Sequence, residues 1–387
     1  MLKFNTCGVH THNYYRFILS KYKCTQVLLK SHIKEELKRS LSLKEDCGFE
    51  AILISNEKNI RYLTGFWGKE SQSYLLLSRE HKILFTDFRF KKQAEEQRIA
   101  DVFQWREPRI THFVEKALRI GLKNIAVEDS MPYFEFKQIS EAMLGIGLTP
   151  AHKLVENLRK IKTRFEIYEI KKAANIADTI FTSIIKILRP GVRELDMAAE
   201  IEYRMKKMGA DDRAFDVVVA SGTNSSMPHA AATSKKIEVH DIVKIDYGVV
   251  VNGYCSDITR TVIMGDVSKE VVDIYETVRE AQELALCSIR RDISCNELDS
   301  IARSFINEKG YGERFGHGLG HGVGLDIHED PFIAPSNDQL LEISMVFTVE
   351  PGIYVPGLGG IRIEDMVVLE KDGVEVLTKT NKDLIII

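Results

Sequence analysis

The sequence predicts two domains, an α/β domain over residues 31–152 and an α+β domain over residues 153–387, behind an N-terminal extension of residues 1–30. Three observations carry this reading. A chain of 387 residues is too long for one ordinary hydrophobic core. Between residues 49 and 127, short apolar runs alternate with helical patterns, the order that builds an α/β sheet. Beyond residue 215 the strand patterns neighbour one another, with helical patterns grouped before and between them.

Taken in order, residues 31–45 have helical spacing, with Ile33, Leu37, Leu41 and Leu43 set among charges. Residues 49–55 (FEAILIS) read as a buried strand, and residues 59–66 as a turn into further structure. Residues 73–77 and 82–86 read as two strands around the polar turn Ser78-Arg79-Glu80-His81. Helices are predicted over 90–98 and 112–119, and a strand over 124–127. Residues 151–162 form a charged connector without glycine. A long helix then runs over 163–188 and stops at Arg189-Pro190-Gly191, since proline cannot continue it. A second helix covers 194–208, with Lys206 and Lys207 in its last turn and Gly209 as its stop. A strand follows over 215–220. Val271, Ile274, Tyr275, Val278 and Ala281 give helical spacing over 271–288, and Ser294 with Glu297 has the form of a capping box for a helix to about residue 307. Strands over 345–350 and 361–369 complete the chain.

Composition excludes several classes. With 44% hydrophobic and 28% charged residues the chain reads as globular, and a net charge of −3 gives no bulk affinity for nucleic acid or an anionic membrane. No apolar run reaches the roughly 18–20 residues that span a bilayer. Cys7, Cys24, Cys47, Cys255, Cys287 and Cys295 show neither CxxC pairing nor regular spacing, so free thiols in a reducing cytoplasm are expected. In residues 1–30, Cys7, His10 and His12 lack a second pair of ligands for a metal. The run Phe17-Ile18-Leu19 is too short for the apolar region of a signal peptide.

The chemistry centres on residues 315–329 (FGHGLGHGVGLDIHE), where glycine occupies every second position from Gly316 to Gly324. As an extended strand, this run would point His317, Leu319, His321 and Val323 one way and leave the other face bare, so that a second backbone or a ligand approaches closely. Acidic residues in strand-like contexts flank it at Asp246, Asp257, Glu350 and Glu364. Asn252-Gly253 between β-rich runs is a strong two-residue hairpin pattern. That turn pairs Val251 with Tyr254, Asp246 with Thr259 and Asp257 with Gly248. Both aspartates then share a face as diagonal cross-strand neighbours, roughly 7–8 Å apart, while Val243, Ile245, Tyr247 and Val249 face the core. Glu350 ends an apolar strand before Pro351, and Arg362 and Glu364 lie two apart on the next strand. Four carboxylates with one imidazole, His321, suit Mn²⁺, Co²⁺, Fe²⁺ or Zn²⁺ in a two-metal site. Such a pair lowers the pKa of a bridging water to near neutral, the chemistry of amide hydrolysis.

The ordered set Asp246, Asp257, His321, Glu350, Glu364, in the strings KIDYG, YCSDITRT, GHGLGHGVGLDIHE, TVEPGIY and GIRIED, resembles the pita-bread metallopeptidases: prolidases, aminopeptidase P and methionine aminopeptidases. The resemblance covers about 160–370. The short interval between the two glutamates resembles the Xaa-Pro-cleaving branch. NIRYLTGF with Asp87-Phe88-Arg89 resembles, more weakly, the creatinase/prolidase N-terminal domain; residues 1–30 have no counterpart.

The resemblance implies a creatinase/aminopeptidase-like catalytic domain with two divalent ions, Mn²⁺ first, held by the five residues, with Asp257 and Glu364 shared between both. It implies that Glu350 doubles as proton shuttle, that His229 steadies the intermediate or leaving group, and that His328 binds substrate. His317 matches the pattern without being a ligand. Arg362 would face the site and hold a substrate carboxylate, or else pair with a glutamate. The implied activity is hydrolysis of the Xaa-Pro bond at the N-terminus of peptides, with Xaa-Pro dipeptidase or another aminopeptidase of the fold as alternatives. The implied assembly is a homodimer. Creatinase-type enzymes lack the metal set that this chain retains. The glycines of 316–324 open no helix, which excludes a dinucleotide site.

Overall fold

Consecutive apolar side chains that must all be buried dictate the first sheet. A computed structural model describes residues 49–387 apart from 98, 99, 107 and 108; the extension 1–30 and the helix predicted over 31–45 lie outside the described residues. The chain forms two compact units that divide between Leu158 and Arg159.

In the first unit, β1 (Ala51–Ile54) is buried at every position. It pairs antiparallel with β2 (Tyr74–Ser78), which pairs with β3 (Lys82–Thr86). β4 (Asp101–Gln104), β5 (Asn124–Glu128) and β6 (Gly147–Ala151) complete a six-stranded sheet in the order β4-β3-β2-β1-β5-β6. Its core gathers Leu53, Leu76, Phe85, Phe113 and Ile125, and each fully buried side chain of this size contributes about 1.5–3 kcal/mol. Residues 57–64 are a helix, α1 (Glu57–Thr64), rather than a turn. Asn56 caps it by accepting from the amides of Lys58 and Asn59, and Gly65 closes it with φ +67°. α2 (Lys91–Gln97), α3 (Arg109–Arg119) and α4 (Tyr133–Ala142) complete the unit. This is the predicted α/β domain.

In the second unit, Thr163 and Glu166 form a capping box that starts α5 (Arg164–Ile184). α6 (Glu194–Lys207) follows. Both pack on one face of a four-stranded sheet made of β8 (Val218–Ser221), β9 (Ile242–Tyr247), β12 (Ile258–Ile263) and β20 (Ile385–Ile386). The short β7 (Asp212–Arg213), β10 (Val249–Val251) and β11 (Tyr254–Cys255) form a three-stranded extension at the hairpin end. The hairpin register is the predicted one: Val251 faces Tyr254, and Asp246 faces Thr259. Val243, Ile245, Tyr247 and Val249 are fully buried against α5 and α6, so Lys244 and Asp246 leave the other face.

A second sheet, in the order β14-β13-β15-β18-β19, consists of β13 (Gly320–Gly322), β14 (Glu329–Ile333), β15 (Val346–Val349), β18 (Asp365–Glu370) and β19 (Gly373–Val376). Two helices, α7 (Lys269–Ser288) and α8 (Cys295–Glu308), share its core with Leu319, Phe347 and Val367. A further hairpin joins β16 (Gly352–Val355) to β17 (Gly359–Arg362). Helices outside and sheets inside make the pita-bread arrangement that the resemblance implied.

Two expectations are corrected. The glycine-alternating run is not one long strand: only Gly320–Gly322 pairs, with a register shift between His321 and Gly322. Leu319 and Val323, on either side of the short strand, turn into the interior while His317 and His321 reach a cavity. The strand predicted over 361–369 is split at Ile363 and Glu364 into β17 and β18. The predicted close approach does occur: a Cβ on Gly320 would lie 2.0 Å from the Thr348 carbonyl oxygen, and one on Gly322 2.3 Å from that of Asp330.

Candidate metal centre

Strands from both sheets of the second unit deliver carboxylates to one cavity of about 690 Å³, lined by Asp246, Asp257, His229, His317, His321, His328, Glu350, Arg362 and Glu364. All eight residues singled out as site residues in the sequence, and His317, thus reach the same space. Asp246 arrives on β9, Asp257 immediately before β12, His321 on β13, Glu350 just beyond β15, and Glu364 in the break between β17 and β18. One atom each from Asp257, His321 and Glu364 lies within 4.8 Å of the other two. His321 Nε2 is 3.6 Å from Asp257 Oδ2 and 3.2 Å from Glu350 Oε1.

These groups are oriented from behind. Thr259 Oγ1 donates to Glu364 Oε2 at 2.7 Å and Thr348 Oγ1 to Glu350 Oε1 at 3.0 Å. His321 Nδ1 faces the Gly322 carbonyl oxygen at 3.1 Å. An Nδ1–H donated there leaves Nε2 with its lone pair aimed at the carboxylates, the tautomer that binds a cation. Arg362 pairs with Asp246 and also donates to Tyr354 Oη (2.8 Å), the Pro228 carbonyl (3.2 Å) and Thr259 Oγ1 (3.1 Å).

The residues present fit a pair of cations. Asp246 Oδ1, Asp257 Oδ1 and Glu364 Oε1 are buried without a hydrogen-bond partner, and a buried carboxylate oxygen left so is costly. Four carboxylates crowd one guanidinium. Burial raises Asp257 and Glu364 well above the ordinary carboxylate range, and the neighbouring carboxylates add to it. Burial raises Asp246 too, against the pull of Arg362. For Glu350 burial is outweighed by the hydrogen bond and charge of His321, which hold it low. For His321 burial is likewise outweighed, by Glu350, and its pKa is raised. Divalent cations would satisfy the orphaned oxygens and remove the repulsion.

A stability prediction follows for the ion-free protein. Groups whose folded pKa is raised (Asp246, Asp257, Glu364 and His321) contribute stability that is fully present below their unfolded values and lost as pH rises through the folded ones. Glu350, held low, loses its contribution only below the ordinary carboxylate range. Chelated protein should therefore melt lower at about pH 8 than at about pH 5.5, and added Mn²⁺ should raise Tm most at the higher pH. Equal Tm for the chelated protein at both pH values, by scanning calorimetry, would contradict the repulsion.

Sequence reading missed two residues. Tyr354 joins His317 Nε2 (3.0 Å) to Arg362; it lies on β16, and its partners stand on other strands and loops that sequence spacing does not bring to it. Lys244 was legible, since it lies two residues before Asp246 on the same strand face. It is fully buried, and its Nζ meets the carbonyls of Ser225, Met227 and Pro228. Burial, with the nearby Arg362, pushes its ammonium down to about 7 against the pull of Asp246; the three carbonyl acceptors favour the charged form.

Two strand-borne aspartates, a bulged histidine and two glutamates around one cavity, inside a pita-bread fold, define a metallopeptidase. Residues 168–371 match metallopeptidase family M24, and residues 37–161 match the creatinase/prolidase N-terminal domain. The chain belongs to metallopeptidase family M24. It is 37% identical over 353 residues to an Xaa-Pro dipeptidase of Pyrococcus horikoshii, covering 91% of this chain and 99% of that protein. Among solved structures, an Xaa-Pro dipeptidase from Bacillus anthracis superposes with a TM-score of 0.88 at 41% identity, covering 92% of this chain and 100% of that one. An X-Pro aminopeptidase from Thermotoga maritima superposes with a TM-score of 0.83 at 38% identity, covering 89% and 100%.

Proposed function

We propose that this metallopeptidase releases the N-terminal residue from peptides whose second residue is proline, as an Xaa-Pro aminopeptidase. The observation that carries the preference for peptides over dipeptides is Arg362. Its guanidinium is buried and committed to Asp246, Tyr354, Thr259 and the Pro228 carbonyl. The preferred reading is therefore the other option, an ion pair at the site, with Asp246 and also with Glu350, whose Oε2 is 3.8 Å from Arg362 Nε. Among the described residues, the other permanent cation lining the cavity is Arg213 at its rim, paired with Glu202 and Asp216. Much of the remaining wall is apolar, with Leu195, Phe215, Val218 and Phe332. This cavity has room for a longer peptide and no unengaged cation for the carboxylate of Xaa-Pro.

In this reading Asp246, Asp257, His321, Glu350 and Glu364 hold two divalent ions, Mn²⁺ first and Co²⁺, Zn²⁺ or Fe²⁺ as substitutes for the same O/N donors. When bound, such a pair supplies Lewis acidity, lowering the pKa of water and polarising a carbonyl. The rest falls to side chains. Excess carboxylate attracts the free α-ammonium, so blocked N-termini are rejected. Proline's nitrogen has no N–H and must be protonated as it leaves. Glu350, whose Oε1 accepts from Thr348 Oγ1, is the carboxylate that carries this proton. His229, exposed at the cavity wall, steadies the tetrahedral oxygen or the leaving group. His328 stacks edge-on against His321 with ring centroids 4.3 Å apart and contacts the substrate chain. Burial lowers the pKa of His328, and the charge of His321 lowers it further, so it acts as a neutral imidazole. Free Cys287 and Cys295 suit a reducing cytoplasm, and among the described residues no helix is long and apolar enough to cross a membrane. The assembly proposed is a homodimer.

The names of the Pyrococcus and Bacillus relatives favour a second reading, Xaa-Pro dipeptidase. Side-by-side kinetics on Ala-Pro and Ala-Pro-Ala separate the two, and the tripeptide is expected to be the better substrate. A kcat/KM at least about tenfold higher for the dipeptide, some 1.4 kcal/mol of differential transition-state binding, would establish the dipeptidase. Cleavage of neither would remove the Xaa-Pro assignment.

A further inference from the structure

His229 sits on a segment, residues 221–235, that makes almost no regular structure beyond a 3₁₀ turn at Gly222–Ser226. Such a segment holds a side chain in place only if its own backbone is tied down. Its neck is closed by the fully buried Glu194, which accepts from the amides of Ser221 (2.7 Å) and Thr233 (3.0 Å) and from both hydroxyls (2.8 and 2.6 Å). That fixes the two ends. It does not fix the tip, where Met227 is half exposed and His229 faces the cavity.

The tip is held from beneath. Lys244 Nζ donates to the carbonyl oxygens of Ser225 (3.2 Å), Met227 (2.6 Å) and Pro228 (3.1 Å). Gly360 lets the same turn come close, since a Cβ there would lie 2.3 Å from the Ser225 carbonyl oxygen, and its amide donates to Ser225 Oγ at 2.9 Å. A primary amine is costly to bury, and an apolar residue would fill this strand position. Among the described residues, Lys244 meets carbonyl oxygens there rather than a carboxylate within ion-pair distance. An ammonium has three donors in a compact head, and the turn offers three acceptors, the last adjacent to His229. The strand that carries Lys244 also carries Asp246.

We propose that Lys244 is a positioning residue for His229, tying the peptide carbonyls of residues 225–228 to the strand that bears Asp246 and so fixing the distance between the imidazole and the carboxylate cluster. The inference rests on the reading that His229 acts on the substrate. Lys244 itself touches neither substrate nor the proposed ions. A shift of about 1 Å at a reacting group can cost about 10²-fold in rate, and loss of the three Lys244 tethers, which leaves the Pro228 carbonyl to Arg362 (3.2 Å), would allow a shift of that size.

The test uses the full-length, metal-loaded protein and the variants K244M, H229A and K244M/H229A. K244M should lose about 10²-fold in kcat while metal content stays at the wild-type level and KM changes by less than about threefold. In the H229A background the same substitution should add less than about threefold, because a lost position is worth nothing once its occupant is gone. Independently of turnover, amide hydrogen exchange in metal-free K244M should accelerate over residues 222–230 and remain slow over Ile242–Tyr247. Multiplying losses, metal loss in step with activity, near-wild-type kcat in K244M, or unchanged exchange over the turn would each overturn the proposal. Near-wild-type turnover in H229A alone would withdraw the reading beneath it, and the proposal with it. If K244M does not fold, K244Q, which keeps two donors, takes its place, and failure of both to fold would show a structural role only.

Discussion

Chelation will take hydrolysis of Ala-Pro-Ala to background, and Mn²⁺ or Co²⁺ added back will restore it. The expectation rests on the three buried carboxylate oxygens without partners, on Asp246, Asp257 and Glu364. A native interior rarely leaves such atoms unsatisfied, and divalent cations are the chemistry that satisfies all three at once. Among point variants, D257A and E364A should do most harm. Their donor atoms form the tight cluster with His321, and in the proposed site both serve both ions. A bound metal supplies several kcal/mol of charge stabilisation; at 1.36 kcal/mol per decade its loss corresponds to about 10³-fold or more in kcat/KM. Metal analysis should give about two ions per wild-type chain and fewer in either variant. Full activity in exhaustively dialysed, metal-free protein would refute the two-metal site.

The parts of this site legible in the sequence are those whose geometry is set locally. Asn252-Gly253 determined a turn, the turn determined a register, and the register placed Asp246 opposite Thr259 with both aspartates on one face. Long helices with caps were legible for the same reason, as with Ser294 and Glu297 on α8. What was not legible depends on partners distant in sequence. The period of two over residues 315–324 suggested a continuous strand, but only three residues pair with β14 and β15, Leu319 bends before the strand, and the register shifts after His321. Likewise β17 and β18 belong to different sheets, so Glu364 lies in a break that no residue preference announces. In the first unit β4 and β6 escaped notice because they are half-exposed edges without an apolar run, β6 containing Pro150, which only an edge strand tolerates. The polar partners behind the site, Tyr354 above all, come from chain crossings rather than from spacing.

His229→Ala will keep its metal and lose about 10²–10⁴-fold in kcat, the range expected when a group that moves a proton or steadies a developing charge is removed. His229 differs from the metal-holding set in where it stands: it comes from the turn that lies on Lys244 and Arg362, exposed at the cavity wall. Truncating an exposed imidazole there leaves the carboxylates and their supports untouched, so metal content and Tm should match wild type. The loss should appear in kcat and in kcat/KM alike, with KM moving little, because the interaction is stronger with the tetrahedral species than with the planar amide. His328→Ala should behave differently. That ring packs on His321 and lines the cavity, where it is proposed to contact the substrate chain, so its removal should raise KM as well. Steady-state kinetics on Ala-Pro-Ala, with metal content measured on the same samples, distinguish the two. If H229A retains turnover within about threefold of wild type, His229 is a structural neighbour of Pro228 and the proton must be handled by Glu350 alone.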